Sequence, residues 1–70
     1  MKGGIGLRID RRKLVLAMMD KDMNAKQIAE KAGLARATVS AVKNGRSCTE
    51  ETAIRIAEAL GVDLKKLKEV

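Results

Sequence analysis

The stretch NAKQIAEKAGLARATVSAVKNGR, residues 24–46, decides the fold. Asn24, followed three residues later by Gln27, has the spacing of a capping box, with Met23 ahead of it as a hydrophobic staple. This predicts a helix from about Ala25 to Ala32, with Ile28, Ala29 and Ala32 on its inward face. Gly33 then ends the helix in the left-handed conformation that glycine adopts at little cost. A second helix is predicted from about Arg36 to Lys43. At about 100° per residue, Thr38, Val39 and Val42 point one way, while Arg36, Ala37, Ser40 and Asn44 point the other. Leu34 plugs the space between the two helices, and Asn44-Gly45 stops the second.

The flanking sequence completes a small helical domain. Asp10 is a good N-cap for a first helix running to about Lys21. Leu14 and Met18 share one face of it, with Val15 and Met19 beside them. Leu16 and Ala17 extend the apolar surface beyond one stripe, so the amino-terminal arm or a second subunit is expected to cover them. Thr49 caps a helix from about Glu50 to Leu60, with both glutamates favourable at its positive end. Ala53, Ile56, Ala57 and Leu60 form its inward stripe, and Gly61 stops it. Asp63 caps a last short helix, with Leu64 and Leu67 inward. Residues 1–8, rich in glycine, read as a flexible or extended arm, and residues 9–70 as one domain. The expected fold is all-α, with five short helices and no strand.

Composition narrows the function. The chain has 70 residues, a net charge of +6, one cysteine, and no histidine or aromatic residue. A core this small contributes only about 3–5 kcal/mol unaided. A disulfide within the chain is impossible, and neither a metal site nor a cofactor is expected. Oligomerisation is the remaining aid, which favours a homodimer. A basic domain suits an anionic partner. Residues 31–49 carry Lys31, Arg36, Lys43 and Arg46 with no acid, so unopposed charge is densest around the second helix of the opening stretch. Without aromatic rings, base stacking on single strands or RNA loops is disfavoured. No apolar run reaches the ~18 residues of a membrane span. The start lacks a signal-peptide core, so a cytoplasmic location is expected. Cys48 and the cluster Met18, Met19 and Met23 read as structural, the methionines as core filler. No small-molecule ligand and no enzymatic activity is expected, since paired carboxylates and a phosphate-cradling loop are missing.

Two helices joined by a glycine turn, with a basic polar outer face on the second, suit the major groove of duplex DNA, about 12 Å wide. Arg36 can donate two bonds to a guanine, Ala37 can touch a thymine methyl, and Ser40 can donate or accept. Asn24 and Lys26 lie at a helix amino end suited to phosphate. Lys43, Asn44 and Arg46 follow the reading helix. With Thr38, these make up the expected phosphate contacts. Arg11, Arg12 and Lys13 read as a solvated face.

The segment AEKAGLARATVSAVKNGR, followed by AIRIAEALGVDLKKL, resembles the lambda-repressor/Cro type of helix-turn-helix, the XRE family, over about residues 9–68. The resemblance implies a small repressor-like transcription regulator of a prokaryote, phage or mobile element. It implies that Arg36, Ala37 and Ser40 fall on base-reading positions, and that dimers form near Val62, Leu64 and Lys66. It also marks departures. Ala35 stands where many members have a capping Ser or Thr. Met18 and Lys43 stand where many pair an Arg with a Glu. The alternative function is an antitoxin-type or other interaction module whose main partner is a protein.

Overall fold

The helices of this chain are short, and side-chain caps and left-handed turns fix their ends. The computed structural model describes residues 7–68. It contains α1 (Arg11–Asp20), α2 (Ala25–Ala32), α3 (Arg36–Lys43) and α4 (Glu50–Leu60), followed by a single 3-10 turn at Leu64–Lys66. Each of α1, α2 and α4 starts where a polar side chain takes an otherwise unpaired amide. Asp10 accepts from the Arg12 and Lys13 amides, and Thr49 from Thr52. Asn24 and Gln27 form the reciprocal capping box, with bonds of 2.8 and 2.9 Å.

The four helix ends share one closure. In α2, the Leu34 amide donates back to the Ala29 carbonyl at 2.9 Å, and Gly33 takes φ +72°. This six-to-one bond occupies a carbonyl that the helix leaves unpaired. The same bond recurs from Arg46 to Ala41, from Val62 to Ala57, and from Met23 to Met18. Glycine supplies the left-handed residue at three of the four ends. At the end of α1 it is Asp22, with φ +56°.

The core is aliphatic throughout. Ile9, Leu14, Met18, Ile28, Val39, Val42, Ile56, Leu60 and Leu67 are buried, with Ala29, Ala53, Ala57 and Ala59 between them. The alanines allow close helix approach: α2 packs against both α3 and α4, α1 against α3, and α4 against the 3-10 turn. No polar or charged side chain is buried among the described residues.

Two expectations need correction. The fifth helix is only one 3-10 turn, because the chain after it is captured by the other end of the domain. Asp10 donates its amide to the Leu67 carbonyl at 2.7 Å, and Ile9 pairs antiparallel with Lys68. Backbone drawn into that bridge cannot continue a helix. The second correction concerns the arm. Leu7 exchanges two backbone bonds with Cys48, of 2.7 and 2.8 Å, so the domain is already in place at residue 7. The remainder of the expected arm, residues 1–6, lies outside the described residues. Leu16 stays 63% exposed and Met19 71% exposed, so no described segment covers that face of α1.

A left-handed β-carbon is costly by about 1–2 kcal/mol. At Gly33 an added methyl meets only the Arg55 guanidinium, at 3.7 Å, so backbone strain governs the outcome. Gly33→Ala is expected to lower unfolding free energy by about 1 kcal/mol. Asp22→Gly is expected to raise it, by up to about 1 kcal/mol. Urea denaturation of both variants measures the two signs.

Candidate nucleic-acid interface

The turn at Gly33–Ala35 aims α3. Val39 and Val42 are buried against the core, which sends the opposite side of α3 to solvent. Arg36 and Ala37 are exposed, as are Lys43 and Asn44 at the far end. Ser40 lies between them and is half-buried, less open than the helical wheel alone suggested. Thr38 is also half-buried, at the margin of the buried face. The reading face is therefore widest at the amino end of α3.

Ala35 precedes α3 in an extended conformation, with φ −70° and ψ 143°, and makes no side-chain cap. That geometry suits a capping hydroxyl, and alanine cannot provide one. Of the α-helices, α3 alone begins without a side-chain cap.

The groups expected at phosphates divide between two adjoining hollows. The first, an open concavity of about 520 Å³, is bordered by Asn24 and Gln27 at the start of α2 and by Lys43 at the end of α3. Met18, Met19 and Met23 lie along it. The structure thus brings Asn24 and Lys43, distant in sequence, to one rim. It also brings Met18 and Lys43 together, at the positions where the resemblance led us to expect an ion pair. Asn24 commits its side-chain oxygen to the Gln27 amide, leaving its NH₂ group to donate outward. Lys26 is exposed in the first turn of α2, and Arg46 is exposed beyond Asn44.

The second hollow begins at Asn44 and Gly45 and is bordered by Arg8, Arg11 and Arg12. The sequence reading had no role for Arg8 and left the other two as a solvated face. The pairing of Leu7 with Cys48 is what carries them to this place, and no local pattern announces it.

Val62 and Leu64 pack half-buried against the core, and Lys66 is exposed. Val62 and Lys66 line a third concavity together with Leu16 and Ala17 of α1. Cys48 is half-buried, and burial pushes its thiol up from the ordinary value. Its backbone, not its sulfur, has the structural role. Among the described residues, no group of three His, Cys, Asp or Glu side chains is placed to hold a metal. No helix among them is long and apolar enough to cross a membrane.

A family model described as helix-turn-helix matches residues 16–67. No curated protein matches the chain significantly. Among solved structures, a variant of hydroxyethylphosphonate dioxygenase is similar, with a TM-score of 0.79 and 30% identity. The native PhpD structure with cadmium is similar too, with a TM-score of 0.76 and 30% identity. Both matches cover 91% of this chain but only 14% of the longer one, so this chain spans about a seventh of those proteins. The restriction-modification controller protein C.AhdI from Aeromonas hydrophila shares the fold over 80% of this chain and 86% of its own. Its TM-score is 0.74 and its identity 23%.

Ala35→Ser is expected to supply the missing cap and stabilise the domain by about 1 kcal/mol. Thermal denaturation measures it. No gain would mean that the start of α3 is held by packing alone.

Proposed function

The chain belongs to the XRE-type helix-turn-helix family of DNA-binding regulators, and we propose that it binds duplex DNA sequence-specifically as a small, repressor-like transcription regulator. The observation that carries the reading is the outward face of α3. Arg36 and Ala37 stand free of the core at its amino end, one turn from Ser40. A small residue beside a long donor lets the helix approach the major groove while the donor reaches a guanine edge. Asn24, Lys26, Thr38, Lys43, Asn44 and Arg46 flank that face as phosphate contacts, which position the helix and carry little sequence information.

The reading includes a homodimer. The concavity shared by Val62 and Lys66 with Leu16 and Ala17 joins the family's dimerisation region to the apolar face of α1. A second copy seated there buries Leu16, which is otherwise largely exposed. Two copies place two recognition helices on half-sites about one helical turn apart. The similarity to the dioxygenase concerns a small part of that chain. It supports the helical fold and lends no oxygenase chemistry to this one.

The test is binding to a duplex selected from random sequence, measured across salt. Lys26, Lys43 and Arg46 give three cationic contacts per copy, and six per dimer. From 50 to 200 mM salt, six contacts predict a loss of about a thousandfold in affinity, and three only about fortyfold. Arg36→Ala is expected to cost about 1–3 kcal/mol and relax preference at one base pair. Arg46→Ala is expected to weaken all sequences alike and lower the salt slope by about one. A flat salt response, or full affinity after replacing both Arg36 and Ser40 by alanine, would overturn the reading.

A further inference from the structure

The first turn of α1 is charged against its own helix. Arg11, Arg12 and Lys13 occupy it with no acid, and the last turn carries no base. A helix amino end bears partial positive charge, so cations there are unfavourable. The same chain follows the ordinary rule in α4, which opens with Glu50 and Glu51. Lys13 turns away and donates to the Lys68 carbonyl at 3.0 Å. Arg11 and Arg12 do not. With Arg8 they border the hollow that begins at Asn44 and Gly45. The contact is close: a methyl group at Gly45 would lie 3.5 Å from Cδ of Arg11. Asp10, the acid in this hollow, is engaged as the helix cap, its carboxylate accepting from the Arg12 and Lys13 amides. The sole ion pair among the described residues, Arg55 with Glu51, is elsewhere.

Asn44 sits one turn beyond Ser40, at the carboxyl end of the α3 outer face. The arginine hollow therefore continues the basic surface past the recognition helix. We propose that Arg8, Arg11 and Arg12 form a second phosphate-binding site, which grips the sugar-phosphate backbone flanking the half-site read by α3. Guanidinium groups suit this, because their donors match phosphate oxygens in pairs. An anion there also relieves the repulsion between the arginines and the α1 amino end. The site rests on the proposed DNA reading and extends it to a segment outside the helix-turn-helix.

The decisive variant is Arg12→Glu, because the two effects have opposite signs. Placing an acid in the first turn of α1 is expected to raise the Tm of the free protein. The same change is expected to weaken binding to the selected duplex by about tenfold or more at 100 mM salt. Arg8→Gln and Arg11→Gln, which only neutralise, are each expected to lower the salt slope by about one. That is roughly a 3-fold smaller loss between 50 and 200 mM. Base preference at the selected site stays unchanged in all three, unlike in Arg36→Ala. If the wild-type protein binds the duplex and the Arg8, Arg11 and Arg12 variants match its affinity and slope, the second site is overturned and the helix-turn-helix reading stands. If the wild-type protein binds no duplex, both fall.

Discussion

The bond from the Leu34 amide to the Ala29 carbonyl, closed over the left-handed Gly33, is the constraint on which the rest of the molecule depends. Helices of eight residues are marginal alone and persist only through tertiary packing. Packing requires that both buried faces meet one core. The reversal at Gly33 sets the direction of α3 relative to α2, so that Ile28 and Ala29 on one helix and Val39 and Val42 on the other share that core. Once those faces are committed inward, the side carrying Arg36, Ala37 and Asn44 can only face water. The same four residue spacings that bury the core thus expose the reading face. Neither can be altered without the other.

Places where this chain departs from the rules of stable helices gather on one side of the domain. The start of α3 lacks a cap. Lys43 stands beside methionines where an acid would pair better. Arginines crowd the amino end of α1. Elsewhere the rules hold: α4 has its cap, its acids in the first turn, and an ion pair between Glu51 and Arg55. Local inconsistency confined to one surface is what functional demand on that surface produces. In each case the change removes negative charge or adds positive charge near the outer face of α3, the direction an anionic partner favours.

Most of the fold was legible because the chain writes its helix boundaries in side chains. Asp10, Asn24 and Thr49 each hold an amide three residues or fewer away, so local sequence suffices to place α1, α2 and α4. Gly33 and Gly61 mark ends for the same local reason. What sequence reading missed is non-local. Leu7 pairs with Cys48, and Ile9 with Lys68, across most of the chain. No periodicity encodes such single bridges. They bury Ile9, cut the expected fifth helix to one 3-10 turn, and deliver Arg8 to Asn44. The left-handed Asp22 was also hidden, since an aspartate there reads as an ordinary loop residue. For the candidate site, Arg36 and Ala37 were readable from the wheel. The depth of Ser40 and the two hollows that gather the basic groups needed the packing.

The proposed interface has an unequal division of labour. Its reading face is small, with one long donor, one methyl and one half-buried hydroxyl. Base contacts of that kind supply about 1–3 kcal/mol of discrimination each. The surrounding cations are more numerous, and their contribution is insensitive to sequence. A single copy would therefore bind duplex DNA broadly and discriminate weakly. Two remedies are open to a domain with no room for more readers. Doubling the reading face through a dimer squares the discrimination, provided the spacing of the two helices matches the groove repeat. Extending the backbone grip along α1 adds affinity, and it also fixes the angle at which α3 enters the groove. That second effect turns contacts that carry no sequence information into a condition on where the informative ones fall, because a reader held in one orientation tolerates fewer mismatched geometries.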